Sequence, residues 1–269
     1  MFSEMRIRHL IGISLISVLF GIVFFILPVS VDFSITIPGL LFYISFIFYF
    51  NYQLKQQHVP VRKVVYTKGI ARWIPTIFGI VIVCIVFSLS TFWLFMFSLN
   101  SVFPAIVDLI LTTDPLPSSP IFLGIEIIVI VILAPIIEEF IFRGVILHRL
   151  IKKTSITGGI LISSILFGVL HADMIGAFFF GVITSLLFLK TGNLLIPILV
   201  HMINNAIAVV LSFITPTWPD WIHIIDKTDI IDNAVPNLIM LAISSVFIGL
   251  IVFRLAKGLD PMRIKQLED

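Results

Sequence analysis

Three short motifs place charged and polar side chains inside apolar segments of this chain. They are Glu138-Glu139-x-x-x-Arg143, Phe167-x-x-x-His171 and His201-x-x-x-Asn205. At bilayer depth an ionisable side chain costs about 2.5 kcal/mol or more, so five of them are unexpected unless the protein uses them. A carboxylate, two imidazoles and an amide are groups that activate water and stabilise a negatively charged intermediate. The motifs therefore predict an active site built inside a membrane.

Composition indicates an integral membrane protein. Of the 269 residues, 59% are hydrophobic and 12% are charged, and the mean hydropathy is +1.17, whereas soluble domains are about 25% charged. A transmembrane helix needs about 20 mostly apolar residues. The sequence therefore predicts an all-α, polytopic fold with about eight transmembrane helices, at 10–29, 33–50, 74–98, 121–147, 158–173, 174–189, 194–214 and 236–255.

Charged residues alternate between the two sides of these predicted helices. Lys and Arg, which stay on the cytoplasmic side, precede the first span and follow the second, fourth, sixth and eighth, at Arg6, Arg8, Lys55, Arg62, Lys63, Lys68, Arg72, Arg149, Lys152, Lys153, Lys190, Arg254, Lys257, Arg263 and Lys265. The opposite loops carry Asp32, Asp108, Asp114, Asp173, Asp220, Asp226, Asp229 and Asp232, with Lys227 as their one cation. We therefore expect both termini in the cytoplasm.

Helical geometry gives the two adjacent glutamates different surroundings. Glu139 and Arg143 are four residues apart on one helix face, close enough to pair, whereas Glu138 points about 100° away from Glu139. One carboxylate is thus neutralised, and Glu138 is left free for proton transfer. A purely structural ion network is the alternative, but it does not explain the two histidines.

Depth within the membrane brings the three motifs together. Glu138 and His201 each lie about 16 Å from the cations that anchor their helices, and His171 lies about 18 Å from the start of its own predicted helix. Phe167 and His171 share one helix face, as do His201 and Asn205. Because these side chains lie at similar depths in the membrane, we expect them to line one shared cavity rather than to pack as unrelated histidines in the core.

The types of side chain at this level favour water as the nucleophile. Ser163 and Ser164 lie about two turns nearer the cytoplasm and lack the Gly-x-Ser-x-Gly setting of a nucleophilic serine, which argues against an acyl-enzyme. We predict that Glu138 acts as the general base and that His171 positions the water or shares its proton. His201 and Asn205 can donate hydrogen bonds to the oxygen that becomes negative when a carbonyl is attacked. This set indicates amide hydrolysis.

In this order on successive helices, the three motifs resemble those of the CPBP family of intramembrane glutamic endopeptidases. This family is also called the CAAX protease and bacteriocin-processing family, or Abi family. The resemblance covers about 121–214 and describes neither 1–110 nor the last helix. It implies metal-independent catalysis, with roles for the motif residues: Glu138 and His171 activate the water, His201 and Asn205 form the oxyanion hole, Glu139 and Arg143 support the site, and Phe167 lines it.

Two other functions remain open at this stage. A zinc peptidase could use Glu138, His171 and His201 as ligands with water as the fourth, although the chain has no His-Glu-x-x-His motif. A non-catalytic membrane protein, such as a bacteriocin immunity factor or a regulator that binds a sensor kinase, could retain the polar network for its structure. A Glu138→Gln variant separates hydrolysis from a pure binding role.

We therefore expect a protease of the bacterial cell membrane that cleaves a membrane-associated peptide or protein. Its expected partners are this substrate and the lipid bilayer, with no nucleic acid, no metal and no cofactor. We expect three regions along the chain. They are N-terminal helices one to three with a basic loop (1–120), a catalytic core of helices four to seven (121–214), and an outer loop, last helix and basic tail (215–269).

Overall fold

The computed structural model describes residues 2, 5–66, 69–112, 117–214, 224, 226–257 and 259, and these ranges contain helices and no strands. The helices are α1 (Ile7–Ile26), α2 (Val31–Gln56), α3 (Val61–Val65), α4 (Ile74–Val102), α5 (Pro104–Thr112), α6 (Pro120–Lys153), α7 (Ile156–Val169), α8 (Met174–Thr191), α9 (Leu195–Ile214), α10 (Lys227–Asp232) and α11 (Ala234–Lys257). The prediction of an all-α, polytopic membrane protein is confirmed. Most of the predicted outer loop and basic tail, together with Lys68 and Asp114, lies outside the described residues.

Within the described ranges, seven helices are long and apolar enough to cross a bilayer, namely α1, α2, α4, α6, α8, α9 and α11. The remaining predicted span, 158–173, corresponds to α7, which has only 14 residues. It measures about 21 Å, less than the hydrocarbon thickness of about 30 Å. The helix ends at Val169 because the chain reverses before Asp173, whose carboxylate accepts a hydrogen bond from the Gly176 N–H (3.1 Å) and caps α8. His171 therefore lies in a turn and not within a helix, which corrects the predicted span.

Contacts between loops agree with the predicted grouping of basic and acidic segments. Beyond the C-terminal end of α2, the Leu194 N–H donates to the Val64 carbonyl (3.0 Å), which joins two of the predicted basic segments. At the N-terminal end of α2, Asp32 accepts hydrogen bonds from the N–H groups of Ser118 (3.2 Å) and Ser119 (2.8 Å). These two basic segments thus meet beyond one end of α2, and two segments of the opposite set meet at its other end, while the assignment to cytoplasm and exterior stays a prediction.

Helix α6 carries both glutamates and departs from regular α geometry on either side of them. Its 34 residues include two π-helical stretches, Val129–Leu133 and Phe140–Ile146, which flank the α-helical segment Ala134–Glu139. Such wide turns are rare and often occur at functional sites. Glu138 and Glu139 therefore lie at the junction between the α-helical segment and the second π-helical stretch.

Helices α7 and α8 approach each other closely because glycines lie at their contact. A Cβ atom added at Gly181 would lie 3.1 Å from the Cα of Ser164, and one at Gly168 would lie 2.7 Å from the carbonyl oxygen of Met174. Larger residues at either position would push the two helices apart, since small residues are what allow helix backbones to approach in membranes. This close packing fixes the short turn that carries His171.

Candidate active site

Glu139 is the centre of a buried polar network. Its side chain is fully buried, and its Oε1 accepts hydrogen bonds from Arg143 Nη1 at 2.8 Å and from His201 Nδ1 at 3.0 Å. The Arg143 guanidinium also lies over the Phe167 ring, with Cζ 4.5 Å from the ring centroid, a favourable cation–π geometry. The predicted pairing of Glu139 with Arg143 is therefore present, and it gives a carboxylate in a dry setting a compensating charge.

Glu138 is more open than its neighbour and is bonded through one oxygen only. Its side chain is 16% exposed, and its Oε1 accepts a hydrogen bond from the Tyr43 hydroxyl at 2.9 Å. Its Oε2 lies 3.8 Å from His171 Nε2 and 4.0 Å from His201 Nε2. Within the described residues, Oε2 makes no hydrogen bond. One carboxylate oxygen therefore faces both imidazole rings.

Hydrogen bonds on the far side of each ring decide which nitrogen atoms carry protons. His171 Nδ1 lies 2.7 Å from the Phe167 carbonyl oxygen, which can only accept, so Nδ1 carries a proton and Nε2 of the neutral ring presents its lone pair towards Glu138. His201 Nδ1 likewise donates to the Glu139 carboxylate. His201 Nε2 is therefore a hydrogen-bond donor only when the ring carries both protons.

The side chain of Asn205 is held by a carbonyl group that α6 leaves without a backbone donor. The Ala134 N–H donates to the Val129 carbonyl, five residues earlier. In the same register the Ile130 carbonyl would pair with Pro135, which has no N–H to donate. Asn205 Nδ2 donates to the Ile130 oxygen at 2.9 Å instead. Pro135 and the π-helical stretch together create the acceptor that orients Asn205, and the amide keeps a second N–H for a ligand.

Two cavities border these groups. A cavity of about 300 Å³ is lined by Glu138, His171, His201 and Asn205 together with Phe167. A second cavity, of about 570 Å³ and mostly apolar, lies along α1 and also reaches Glu138 and His171. The pair formed by Glu138 and His171 is therefore accessible from two directions, one rich in polar groups and one apolar.

Asp173 fixes the turn that carries His171. Its carboxylate accepts hydrogen bonds from the hydroxyls of Ser88 and Thr91, near the middle of the 29-residue helix α4, and from the Gly176 N–H. The sequence assigns Asp173 to an acidic loop, but it is half-buried and lines the smaller cavity. Its hydrogen bonds to α4 draw the turn into the bundle.

The residues singled out by the sequence motifs lie together in the structure. Five of them (Glu138, Phe167, His171, His201 and Asn205) line the smaller cavity, and Glu139 and Arg143 lie behind His201. Phe167 also packs against both histidine rings, at centroid distances of 4.3 Å (His171) and 5.8 Å (His201). Sequence reasoning missed Tyr43, because one tyrosine in an apolar helix, 95 positions from Glu138, belongs to no motif. The catalytic roles of the motif residues stay predictions.

The zinc alternative requires Glu138, His171 and His201 to bind one ion. In the parts of the chain that the structure describes, no group of three or more His, Cys, Asp or Glu side chains is arranged to hold a metal ion. A direct test with a chelator is described below.

Comparisons with known proteins agree with the position of these motifs. Residues 120–207 match the family model described as "Type II CAAX prenyl endopeptidase Rce1-like". Three curated proteins are each 36% identical to the chain. They are the candidate membrane peptidase YdiL of Bacillus subtilis (strain 168), over 89 residues, the membrane-embedded CAAX protease MroQ of Staphylococcus aureus (strain USA300), over 94 residues, and an uncharacterized 24.3 kDa protein of Escherichia coli, over 86 residues.

These alignments are partial. They cover 32%, 32% and 29% of this chain and 36%, 38% and 40% of the respective relatives, so the chain spans less than half the length of the curated relatives it matches. No solved structure matches the chain. The matched segment 120–207 nevertheless carries every residue of the three motifs. Over this segment, which is about a third of the chain, the protein is similar to the Rce1-like family of type II CAAX prenyl endopeptidases.

Proposed function

We propose that this protein is an intramembrane endopeptidase in which Glu138 and His171 activate a water molecule for attack on a peptide bond. The observation that carries the proposal is the free Oε2 of Glu138, which faces the Nε2 atoms of His171 and His201 at 3.8 and 4.0 Å beside a cavity. Within the described residues this oxygen makes no hydrogen bond, and the Glu138 side chain is the more exposed of the two glutamates, at 16% against 0% for Glu139. An unpaired carboxylate oxygen beside two imidazoles is suited to accept a proton.

In the proposed reaction, one water molecule bridges Glu138 and His171. The separation of 3.8 Å allows water to donate one hydrogen bond to Glu138 Oε2 and one to His171 Nε2, each about 2.8 Å long. With both of its protons engaged, the water directs a lone pair towards the cavity. As its oxygen bonds to the substrate carbonyl carbon, one proton passes to Glu138. Glu138 then returns this proton to the leaving nitrogen as the C–N bond breaks.

His201 and Asn205 supply the hydrogen bonds that stabilise the tetrahedral intermediate. The free N–H of Asn205 and, in the doubly protonated ring, the Nε2–H of His201 both have access to the cavity that Glu138 lines. Glu139 supports this state of His201, because its carboxylate already accepts the Nδ1 proton.

We propose a membrane-associated peptide or protein as the substrate. The larger, mostly apolar cavity is lined in part by Glu138 and His171, and its apolar lining suits a hydrophobic segment of a substrate. The relative MroQ is described as a CAAX protease, which supports a peptide bond as the target. The basic loops at one end of the bundle support an orientation with that end in the cytoplasm.

Cleavage of a panel of lipid-anchored and transmembrane peptides by the purified protein in liposomes tests the proposal. We expect cleavage to continue at an unchanged rate when a strong zinc chelator is added, because the site as proposed uses no metal. Loss of cleavage with chelator, restored by added zinc, would establish the zinc peptidase instead. Saturable binding of peptides with no cleavage of any of them would favour the non-catalytic alternative.

Replacing Asn205 with alanine tests the oxyanion site. We expect kcat for peptide cleavage to fall by about 10²–10³-fold, as when one oxyanion donor is lost, with a much smaller change in KM. An Asn51→Ala variant is the control, because Asn51 is exposed on α2 and lines a different cavity. Equal kcat values for the Asn205→Ala variant and the wild type would remove Asn205 from the mechanism.

A further inference from the structure

We infer that Tyr43 is a positioning residue of the active site, which holds one oxygen of Glu138 so that the other faces the two histidines. The inference rests on the proposed function. Tyr43 belongs to α2, outside the segment 120–207 that matches the family model, and its hydroxyl donates to Glu138 Oε1 at 2.9 Å. One side chain of the site thus comes from α2, a helix that contains none of the three motifs.

The hydrogen bond gives the two oxygens of Glu138 different tasks. The terminal torsion of a glutamate is broad and roughly two-fold, so an unrestrained carboxylate rotates and exchanges its oxygens. With Oε1 bonded to Tyr43, only Oε2 is directed at the Nε2 atoms of His171 and His201. Tyr43 therefore fixes the plane of the carboxylate that binds the water.

The surroundings of Tyr43 indicate that it acts through Glu138 and does not touch the reacting atoms. Among the described residues, Tyr43 lines the larger, apolar cavity and is absent from the lining of the smaller one, which holds His201 and Asn205. Its ring is half-buried and packs edge-on against Phe42, at a centroid distance of 5.0 Å. A tyrosine with an apolar body and a polar tip suits this boundary, because its ring faces the apolar cavity while its hydroxyl reaches the carboxylate.

The neighbouring tyrosine on the same helix provides a matched control. Tyr49 lies six residues further along α2 and is also half-buried, but its hydroxyl makes no hydrogen bond within the described residues. Tyr43→Phe and Tyr49→Phe remove the same atom from the same helix. Only the first removes a contact with Glu138.

The first experiment compares the kinetics of the two variants. We expect Tyr43→Phe to lower kcat by about 10- to 100-fold, the range for losing a hydrogen bond to a charged group, while KM changes less than about twofold. Tyr49→Phe is expected to retain the wild-type kcat, and both variants to keep the wild-type Tm in detergent. A wild-type kcat for Tyr43→Phe would overturn the inference, and so would a raised KM with unchanged kcat, which would mean contact with the substrate.

A second experiment does not depend on activity. A hydrophobic carbodiimide reacts with protonated carboxyl groups, and mass spectrometry identifies the modified residue. Because the Tyr43 hydroxyl occupies Glu138 Oε1, Tyr43→Phe leaves this oxygen without its hydrogen bond and is expected to speed the labelling of Glu138 by about tenfold, with no change in Tyr49→Phe. Equal labelling rates in all three proteins would overturn the inference. If the wild type cleaves no peptide, the proposed function fails, and the labelling rates still decide whether Tyr43 controls Glu138.

Discussion

Replacing Glu138 with glutamine is expected to reduce peptide cleavage by about 10³-fold or more, while the protein remains folded and still binds its substrate. General acid–base catalysis contributes about 10²–10⁴-fold, and an amide has nearly the shape of the carboxylate but cannot accept the proton from water. The glutamine oxygen can still accept the hydrogen bond from Tyr43, which preserves the position of the side chain. The measurement is single-turnover cleavage of a fluorescent membrane peptide in liposomes.

The matched control for this variant is Glu126→Gln. Glu126 is a half-buried glutamate on the same helix, three turns before Glu138, and it lines neither of the cavities that border the site. We expect its variant to cleave within about twofold of the wild-type rate, since it provides no group that the reaction uses. If Glu138→Gln retained more than about a tenth of the wild-type rate, another residue would have to be the general base.

The site residues could be predicted because residues that are four positions apart in an α-helix lie on the same face of that helix. Glu139 and Arg143, four residues apart, meet at 2.8 Å. Glu138, which the same geometry turns away from that pair, faces His171 and His201. Depth measured along the helices brought all three motifs to one level, and the side chains do meet there. Local rules sufficed because each motif spans about one helical turn, even though His171 lies just beyond the end of α7.

The turn at His171 could not be predicted from hydropathy. Leu170 and Met174 are as apolar as the helices on either side, so the sequence reads as one long apolar stretch up to Asp173. Within this turn, the Asp173 carboxylate accepts hydrogen bonds from Ser88 and Thr91, about 80 positions earlier in the chain. A contact of this kind exists only after the helices have packed. For the same reason, Asp173 was predicted to be a loop residue rather than part of a cavity wall.

The anchoring of Asn205 depends on a change of helical register. The periodicity of 3.6 residues that assigns faces holds in α-helical segments, and two stretches of α6 follow a π-helical pattern instead. Pro135 has no N–H, so the sequence indicates that one backbone hydrogen bond of the helix is missing. Only the π-helical pairing in the structure shows that the acceptor left free is the Ile130 carbonyl. The residue types were therefore visible in the sequence, whereas the acceptor that holds Asn205 was not.

The Glu139–Arg143 pair divides the site into two parts with different electrostatic roles. The pair is buried and carries no net charge, and it holds His201 through Glu139. Glu138 is partly open and keeps one oxygen unpaired. Two unpaired carboxylates would repel each other at bilayer depth. If both carboxylates were paired, however, neither would be available as the general base. The guanidinium makes it possible for one carboxylate to stay reactive.

Replacing Arg143 with methionine is therefore expected to destabilise the fold strongly. The substitution leaves Glu139, whose side chain is 0% exposed, without its compensating charge, and breaking a buried ion pair from one side costs about 3–5 kcal/mol. The double variant Glu139→Gln with Arg143→Met removes both charges and is expected to recover most of this loss, because no buried charge is left unpaired. Reversible denaturation in mixed micelles gives the free energies of unfolding for the cycle.

The control for this cycle is Lys152→Met, which removes an exposed cation from the same helix. Its free energy of unfolding is expected to stay within about 0.5 kcal/mol of the wild-type value. Both proteins that carry Arg143→Met are expected to cleave peptides slowly, the single variant because His201 loses its fixed partner and the double variant because glutamine cannot stabilise the doubly protonated ring. If the double variant were no more stable than Arg143→Met alone, the unpaired charge of Glu139 would not be the cause of the instability. The contact between the guanidinium and the Phe167 ring would then be the more important contribution of Arg143.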